Sequence, residues 1–250
     1  MNYKIVADSS ADLLALDGVS FASVPLTIVT SEKQYTDDET LDVAAMLADL
    51  AAYKGKSGSA CPNPEGWVEA FGDADGVFCI PITKNLSGSH SAALLAAKQY
   101  TEAHPDRRVY AVDTRSTGAE DRLIAEKLRD LISSGLEFDA IVTEIASYQR
   151  RTHLIFALES MRNLANNGRV SPLVAKVAGA LGIRVIGKAS AEGTLEITNK
   201  SRGEKRALAD IFDNMVKNGY SGDKVYIHHC ENQKCAEVLR ELILATFPDA

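Results

Sequence analysis

The chain has 250 residues, 46% hydrophobic and 24% charged, a composition typical of a folded globular protein and not of a disordered or fibrous one. Its formal net charge is −7, with 27 Lys and Arg against 34 Asp and Glu, which argues against a surface that follows nucleic acid phosphates. Every apolar run falls short of the roughly 20 residues that a membrane-spanning helix requires. The chain opens on a strand pattern rather than a signal peptide, so we expect a cytoplasmic protein.

In the first part of the chain, short β-branched runs alternate with longer segments of helical spacing. This alternation predicts an α/β fold with largely parallel sheets. The predicted strands lie at residues 4–7, 24–29, 76–82 and 108–113. The predicted helices are a short one after Asp8, one capped within residues 36–39 with its apolar face at 41–48, one from Ser87 to about residue 103, and two at 117–134 and 138–151. Residues 54–64, rich in Gly, Ser and Pro, are predicted to form a loop.

A second region begins after the paired helices that end at residue 151, so we predict two domains, at residues 1–152 and 153–250. From residue 154 onward, the pattern predicts a strand at 154–157, a helix at 159–164, a turn at 166–169 and an apolar helix from Pro172. A hairpin follows with strands at 183–188 and 195–199, then a helix at 203–217, a strand at 224–229 and a last helix at 233–246.

Several familiar site motifs are missing from the sequence. It has no G-x-x-x-x-G-K-[ST], G-x-G-x-x-G, G-x-S-x-G or H-E-x-x-H, so a self-contained nucleotide site, esterase elbow or zincin site has no support. The four cysteines form no C-x-x-C pair and are predicted to be reduced thiols. His228 and His229 are adjacent on a predicted strand and point to opposite faces. We therefore predict neither a metal nor a cofactor.

The segment that follows the strand at residues 76–82 is the most informative one. Ser87, Gly88 and Ser89 open a helix, where backbone N–H groups lack partners and the positive end of the helix dipole lies behind them. Gly88 lets a ligand approach the backbone closely, and the two hydroxyls can donate to an anion. This arrangement suits a carboxylate or a phosphate, although Ser87 as a plain helix cap is the simpler interpretation from local sequence.

Two other segments are candidate sites of the same kind. Ser59 precedes a loop stiffened by two prolines, and such loops often present ligand groups beside strand ends, although an ordinary connection explains the composition equally well. Arg169 lies in a turn between two predicted helices, where it can pair with an anion or remain a solvated surface charge. Asp8, directly after the first strand, is a candidate acid or base, and Cys61 a candidate nucleophile. Helix capping and an inert thiol are the simpler interpretations of these two residues.

Taken in order, these segments resemble the DegV family over nearly the whole chain. The matching segments are the run from Lys4 to Leu13, Val24-Pro25-Leu26, the Ser-Ala-Cys-Pro-Asn-Pro loop from Ser59, Leu86 to Ser89, Val112-Asp113-Thr114, Asn167 to Ser171, Lys200-Ser201-Arg202 and Ile227-His228-His229. The resemblance implies two α/β domains with a buried lipid between them. It also implies a non-catalytic fatty-acid-binding protein, in some members the subunit that presents an acyl chain to a fatty acid kinase.

The same resemblance assigns roles to individual residues. The carboxylate contacts of the family correspond to Ser59 and Ser87, with Gly88 and Ser89 completing the second loop, and Arg169 matches an arginine near the head group. Arg202 matches a basic position near the expected kinase interface. The chain departs from the family pattern at Ala60 and Asn63, where small hydroxyl residues are usual. The resemblance further implies a terminal strand and a late head-group histidine beyond residue 250, which have no counterpart in this sequence.

These observations predict a carrier rather than a catalyst. A long-chain acid needs a dry apolar tunnel closed by a few polar groups, and each buried methylene contributes about 0.8 kcal/mol. Two hydroxyls, helix-end N–H groups and an arginine meet the need of a buried carboxylate. Two alternatives stay open: a hydrolase or transferase that uses Asp8 or Cys61, and a regulatory binding protein without a lipid. We expect no nucleic acid partner, no transmembrane segment, and at most transient contact with a membrane.

Overall fold

A computed structural model gives the fold and describes residues 1–171 and 182–250. The chain divides into two compact units, Met1–Thr152 and His153–Ala250. Each unit has its own hydrophobic core, and each is built from helices packed on a sheet. The α/β class predicted from the sequence is therefore confirmed.

The first unit contains a four-stranded parallel sheet and a small antiparallel one. Its strands are β1 (Tyr3–Asp8), β2 (Ser20–Val24), β3 (Thr27–Val29), β4 (Gln34–Thr36), β5 (Gly58–Ala60), β6 (Gly76–Ile80) and β7 (Arg108–Ala111). Its helices are α1 (Val43–Ala52), α2 (Pro64–Phe71), α3 (Ser89–Ala103), α4 (Ala119–Ser133) and α5 (Phe138–Tyr148), with 3-10 turns at Ser9–Ala11 and Gln149–Arg151. The parallel sheet has the order β2-β1-β6-β7, and the antiparallel sheet has the order β4-β3-β5.

Burial on both faces explains the apolar character of the central strands. All five residues of β6 are buried, and so are the last four of β1. Trp67, Phe71 and Tyr100 of α2 and α3 pack on one face, while α4 and α5 cover the other, where Phe78 stacks on Phe138 at 4.7 Å between ring centroids. Parallel sheets covered by helices have this two-sided burial. The arrangement brings the carboxyl ends of β1, β6 and β7 to one edge, the usual place for ligands in such sheets.

Three predictions for the first unit need correction. The apolar run at residues 24–29 is divided at Pro25 between two strands of different sheets, because proline cannot donate to a ladder. The helix predicted to be capped within residues 36–39 is capped instead by Asp42, whose Oδ1 accepts from Ala45 N at 2.9 Å. The predicted loop at 54–64 contains β5, which pairs with β3. Helix α1 has no fully buried residue despite its apolar composition.

The second unit is built on an antiparallel sheet in its described part. Strands β8 (Ile155–Leu158), β9 (Ile183–Ala189) and β10 (Leu195–Arg202) have the order β10-β9-β8, and β9 and β10 form the predicted hairpin. Helix α6 (Arg162–Asn166) follows β8, and α7 (Glu204–Lys217) and α8 (Gln233–Thr246) pack their apolar faces on Ile186. The prediction of largely parallel sheets thus holds for the main sheet of the first unit, whereas these three strands pair antiparallel.

One predicted strand of the second unit is not a strand. None of the described strands covers residues 224–229, and Val225 and Ile227 of this segment pack against the α7–α8 core. The apolar residues Val225 and Ile227, at alternate positions of this segment, reflect that packing on the core. The apolar helix predicted from Pro172 lies outside the described residues. Within residues 1–171 and 182–250, no helix is both long and apolar enough to cross a bilayer.

Candidate functional site

The candidate site lies at the carboxyl edge of the parallel sheet, where Asp8 ends β1. The Asp8 side chain is fully buried, and its two oxygens accept four hydrogen bonds. Oδ1 accepts from the backbone N–H and the hydroxyl of Ser10, at 3.2 and 2.5 Å. Oδ2 accepts from Ile82 N at 2.9 Å and from Ser89 Oγ at 2.5 Å. Burial raises the pKa of Asp8, and these hydrogen bonds partly offset that rise.

The turn at Ser87, Gly88 and Ser89 joins the loop after β6 to helix α3. The Ser87 N–H donates to Thr83 O at 3.3 Å, and the Ser89 N–H donates to Ser87 Oγ at 3.3 Å. Within residues 1–171 and 182–250, no acceptor takes the hydroxyl hydrogen of half-buried Ser87 or the N–H of exposed Gly88. The turn therefore presents two donors at the positive end of a 15-residue helix.

The Ser59 segment lies beside this turn. Ser59 is the central residue of β5 and pairs with Ile28 of β3, and its side chain is exposed. Two residues further on, the Cys61 side chain reaches the turn: a Cβ atom placed on Gly88 would lie 3.2 Å from Cys61 Sγ. The structure thus brings together the two predicted carboxylate-binding segments of the first unit, which are separated by 28 residues in sequence.

Ser89 has a different environment from the one its sequence predicts. Its side chain is fully buried, and its hydroxyl hydrogen is directed to Asp8 rather than outward. A contact between the Ser89 hydroxyl and the carboxylate of a ligand stays a prediction. Within the described residues, this hydroxyl donates a buried hydrogen bond to Asp8. Ser87 and Gly88 are left as the outward-facing members of the turn.

A second group of buried polar residues extends the edge beyond β7. Thr114 Oγ1 donates to Pro81 O at 3.0 Å, and Thr83 N donates to Ser116 O at 2.9 Å, so the loops after β6 and β7 are held together. The carboxylate of Glu120 accepts from Ser116 Oγ and from Thr152 Oγ1, each at 2.6 Å. The contact with Thr152 ties the end of the first unit to the same edge.

Arg169 and Arg202 lie in the second unit. Arg169 is half-buried, and its guanidinium donates to Asn167 O at 2.8 Å, which folds the side chain back on its own turn. Gly168 has φ +74°, and glycine adopts that left-handed conformation without strain. Arg202 ends β10 and is exposed, as is Lys200, while Ser201 between them is buried and donates to Asp210 of α7. This alternation leaves Lys200 and Arg202 on one exposed face of the strand.

Sequence reasoning undervalued part of this site. From local sequence Asp8 is most simply a helix cap, and no local signal assigns a role to Ser116, Glu120 or Asp121. The available signal is their shared position, because Asp8 ends β1 and the other three residues follow β7, whose carboxyl end lies at the same sheet edge. No group of three or more His, Cys, Asp or Glu side chains suited to a metal ion occurs in the part of the chain that the structure describes.

Comparison with known proteins gives a family match over nearly the whole chain. A sequence model of the DegV family, described as a family of uncharacterised proteins, matches residues 2–250. A DegV domain-containing protein of Streptococcus pneumoniae is 42% identical over 254 residues, which cover 100% of this chain and 90% of the relative.

Solved structures of similar proteins have the same fold. The Streptococcus pneumoniae fatty acid kinase (Fak) B3 protein, loaded with linoleic acid, superposes with a TM-score of 0.98 at 42% identity, covering 100% of this chain and 90% of that one. A DegV family protein from Eubacterium eligens, loaded with heptadecanoic acid, gives a TM-score of 0.97 at 41% identity, covering 99% and 90%.

Proposed function

The chain belongs to the DegV family, and on that premise we propose that it binds one long-chain fatty acid and presents the carboxylate to a partner kinase. The kinase transfers a phosphoryl group from ATP to the carboxylate, which gives an acyl phosphate and ADP. One observation carries the proposal: two similar structures, at 41 and 42% identity over essentially the whole of this chain, each hold a fatty acid.

The site in the first unit has the chemistry that a fatty acid head group requires. A desolvated carboxylate is costly unless donors surround it, and the turn offers the Ser87 hydroxyl and the Gly88 N–H at the start of α3. Ser59 lies on the neighbouring segment. The acyl tail supplies most of the affinity, since each buried methylene contributes about 0.8 kcal/mol. We assign Ser59, Ser87 and Gly88 to the carboxylate, with Arg169 as a further contact near the head group.

The hydrogen bonds of Asp8 disfavour the alternative of a stand-alone hydrolase or transferase that uses Asp8. An ionised carboxylate has about four acceptor positions, and four donors from Ser10, Ile82 and Ser89 already occupy those of Asp8. A substrate would have to displace one of these donors before Asp8 could accept its proton. The proposed role is therefore that of a non-catalytic binding subunit, for which the chain needs neither a metal nor a cofactor.

Lipid extraction followed by mass spectrometry tests the proposal directly. We expect purified protein to carry a saturated or monounsaturated fatty acid, or to bind one when it is added. Ser87→Ala should weaken binding by about 1–3 kcal/mol, the cost of leaving a buried charged acceptor short of one hydrogen-bond donor. Ser59→Ala should weaken binding less. Ser147→Ala, at an exposed position of α5, is the matched control and should bind as wild type does.

Two outcomes would contradict the proposal. Protein that yields no fatty acid on extraction and binds none on addition is not a fatty acid carrier. An unchanged dissociation constant in the Ser87 variant places the head group away from the turn at residues 87–89.

A further inference from the structure

Asp8 and its two neighbours hold the loops that follow the other three strands of the parallel sheet. Asp8 accepts from Ile82 and Ser89 in the segment after β6. Ser9 Oγ accepts from Leu26 N at 3.0 Å, in the segment after β2, and donates to Asp37 at 2.7 Å. Ser10 O accepts from Gly118 N at 2.8 Å, in the segment after β7. Three consecutive residues thus anchor this edge, Asp8 and Ser9 through their side chains and Ser10 through its backbone carbonyl, which a change of the Ser10 side chain keeps.

The hydrogen bonds of Asp8 determine which donors of the turn face outward. Asp8 Oδ2 accepts the hydroxyl of Ser89 at the start of α3 and the N–H of Ile82 at the start of the preceding loop, so one oxygen fixes both ends of the loop that carries Ser87 and Gly88. Because the Ser89 hydroxyl is directed inward, Ser87 and Gly88 are the groups left to meet a ligand.

We infer that Asp8 is a positioning residue for head-group recognition, which holds the turn at residues 87–89 in the shape that binds a carboxylate and does so through Ser89. The inference rests on the proposed function and adds a residue to it. Asp8 touches no ligand in this role, since Ser10, Ile82 and Ser89 occupy both of its oxygens. We expect its effect to be specific to the head group, because a fatty acid tail is bound through apolar contacts whereas the turn offers polar donors.

A pair of ligands with the same tail isolates this effect. Dissociation constants for palmitic acid and for hexadecanol are measured with wild type, Ser89→Ala, Ser10→Ala and Asp8→Asn. Ser89→Ala should bind the acid about tenfold more weakly, because it removes the charge-assisted hydrogen bond from Ser89 to Asp8 that holds the turn. Its affinity for the alcohol should stay within about twofold of wild type. Asp8→Asn should lose the preference for the acid to at least the same extent.

Ser10→Ala is the matched control. Its hydroxyl donates to the same Asp8 carboxylate at the same distance, 2.5 Å, as the Ser89 hydroxyl does. Ser10, however, lies outside the loop at residues 82–89. We expect its acid-to-alcohol affinity ratio to equal that of wild type. If Asp8→Asn fails to fold, the comparison of Ser89→Ala with Ser10→Ala decides the question by itself.

The result that overturns the inference is a wild-type acid-to-alcohol ratio in Ser89→Ala, or an equal fall of that ratio in Ser89→Ala and Ser10→Ala. A parallel loss of affinity for both ligands in Ser89→Ala also overturns it, because that pattern marks a general structural effect. Wild-type protein that binds neither ligand refutes the proposed function itself, so the two failures are distinguishable.

Discussion

Asp121 lies in the first turn of α4 with its side chain fully buried. Neither of its carboxylate oxygens has a hydrogen-bond partner in the part of the chain that the structure describes. Burial raises the pKa of Asp121 well above its ordinary value, and the charges of Asp8 and Glu120 raise it further. The folded protein therefore keeps the Asp121 proton to a higher pH than the unfolded chain does.

This proton makes stability depend on pH in a predictable direction. Its contribution is fully present below the ordinary aspartate pKa of 3.8 and is lost as pH rises through the raised pKa of the folded state. Asp121→Asn removes the ionisation, so the free energy of unfolding of the variant relative to wild type should increase from about pH 4 to neutral pH.

Denaturant titrations at a series of pH values measure that difference. Glu144→Gln, which removes an exposed acid from α5 of the same unit, is the control and should leave the pH dependence of wild type in place. A constant difference between wild type and Asp121→Asn across the series would contradict the prediction.

At the scale of the element, the sequence pattern predicts those helices and hairpins that form through contacts between residues close together in the chain. Helix α8 begins and ends where its 3.6-residue periodicity predicts, and the hairpin strands β9 and β10 begin at the predicted residues 183 and 195. Strand β5, Gly58–Ala60, contains no β-branched residue, and its pairing with β3 comes from a neighbour about 30 residues away. Such pairing leaves no trace in the segment itself, because strand formation depends on cross-strand contacts.

The candidate site likewise has features that local sequence predicts and features that only the tertiary fold determines. The position of Ser87, Gly88 and Ser89 at a helix start could be predicted from the sequence, because helix-start signals are local. The bond from Ser89 to Asp8 joins residues 81 apart and could not. The contact between Gly88 and Cys61 likewise depends on the tertiary fold and has no local signal.

That last contact gives a prediction for the two site segments. Gly88 has φ −76° and ψ −4°, which any residue adopts, so an alanine there meets only crowding from Cys61 Sγ at 3.2 Å. We expect Gly88→Ala to lower the free energy of unfolding by up to about 1 kcal/mol, at the low end for overpacking, since Cys61 is exposed and has room to shift. Cys61→Ala in the same chain should restore it, whereas additive effects in a double-mutant cycle would show that the segments do not touch.

At the scale of the whole molecule, charge is unevenly distributed. The net charge is −7, yet Lys200, Arg202 and Lys205 are all exposed at the junction of β10 and α7. Arg206, on the next residue, pairs with Asp210 at 2.9 Å. A local basic patch on an acidic protein steers an acidic partner and has little effect on a ligand bound through apolar contacts. The position of Arg202 within this basic patch agrees with its proposed role at a kinase interface, which differs from the proposed role of Arg169 near the head group.

The two arginines should therefore separate in a reconstituted reaction. Arg202→Ala should leave the dissociation constant for a fatty acid within about twofold of wild type and slow ATP-dependent acyl-phosphate formation by a supplied fatty acid kinase subunit by about tenfold, a rate effect that shrinks as salt is added. Arg240→Ala, at an exposed position of α8, is the matched control for charge and should change neither measurement. Arg169→Ala should weaken fatty acid binding itself. If Arg202→Ala abolishes binding while the residual complex is phosphorylated at the normal rate, the two assignments are reversed, because the charge then acts on the lipid and not on the encounter with the kinase.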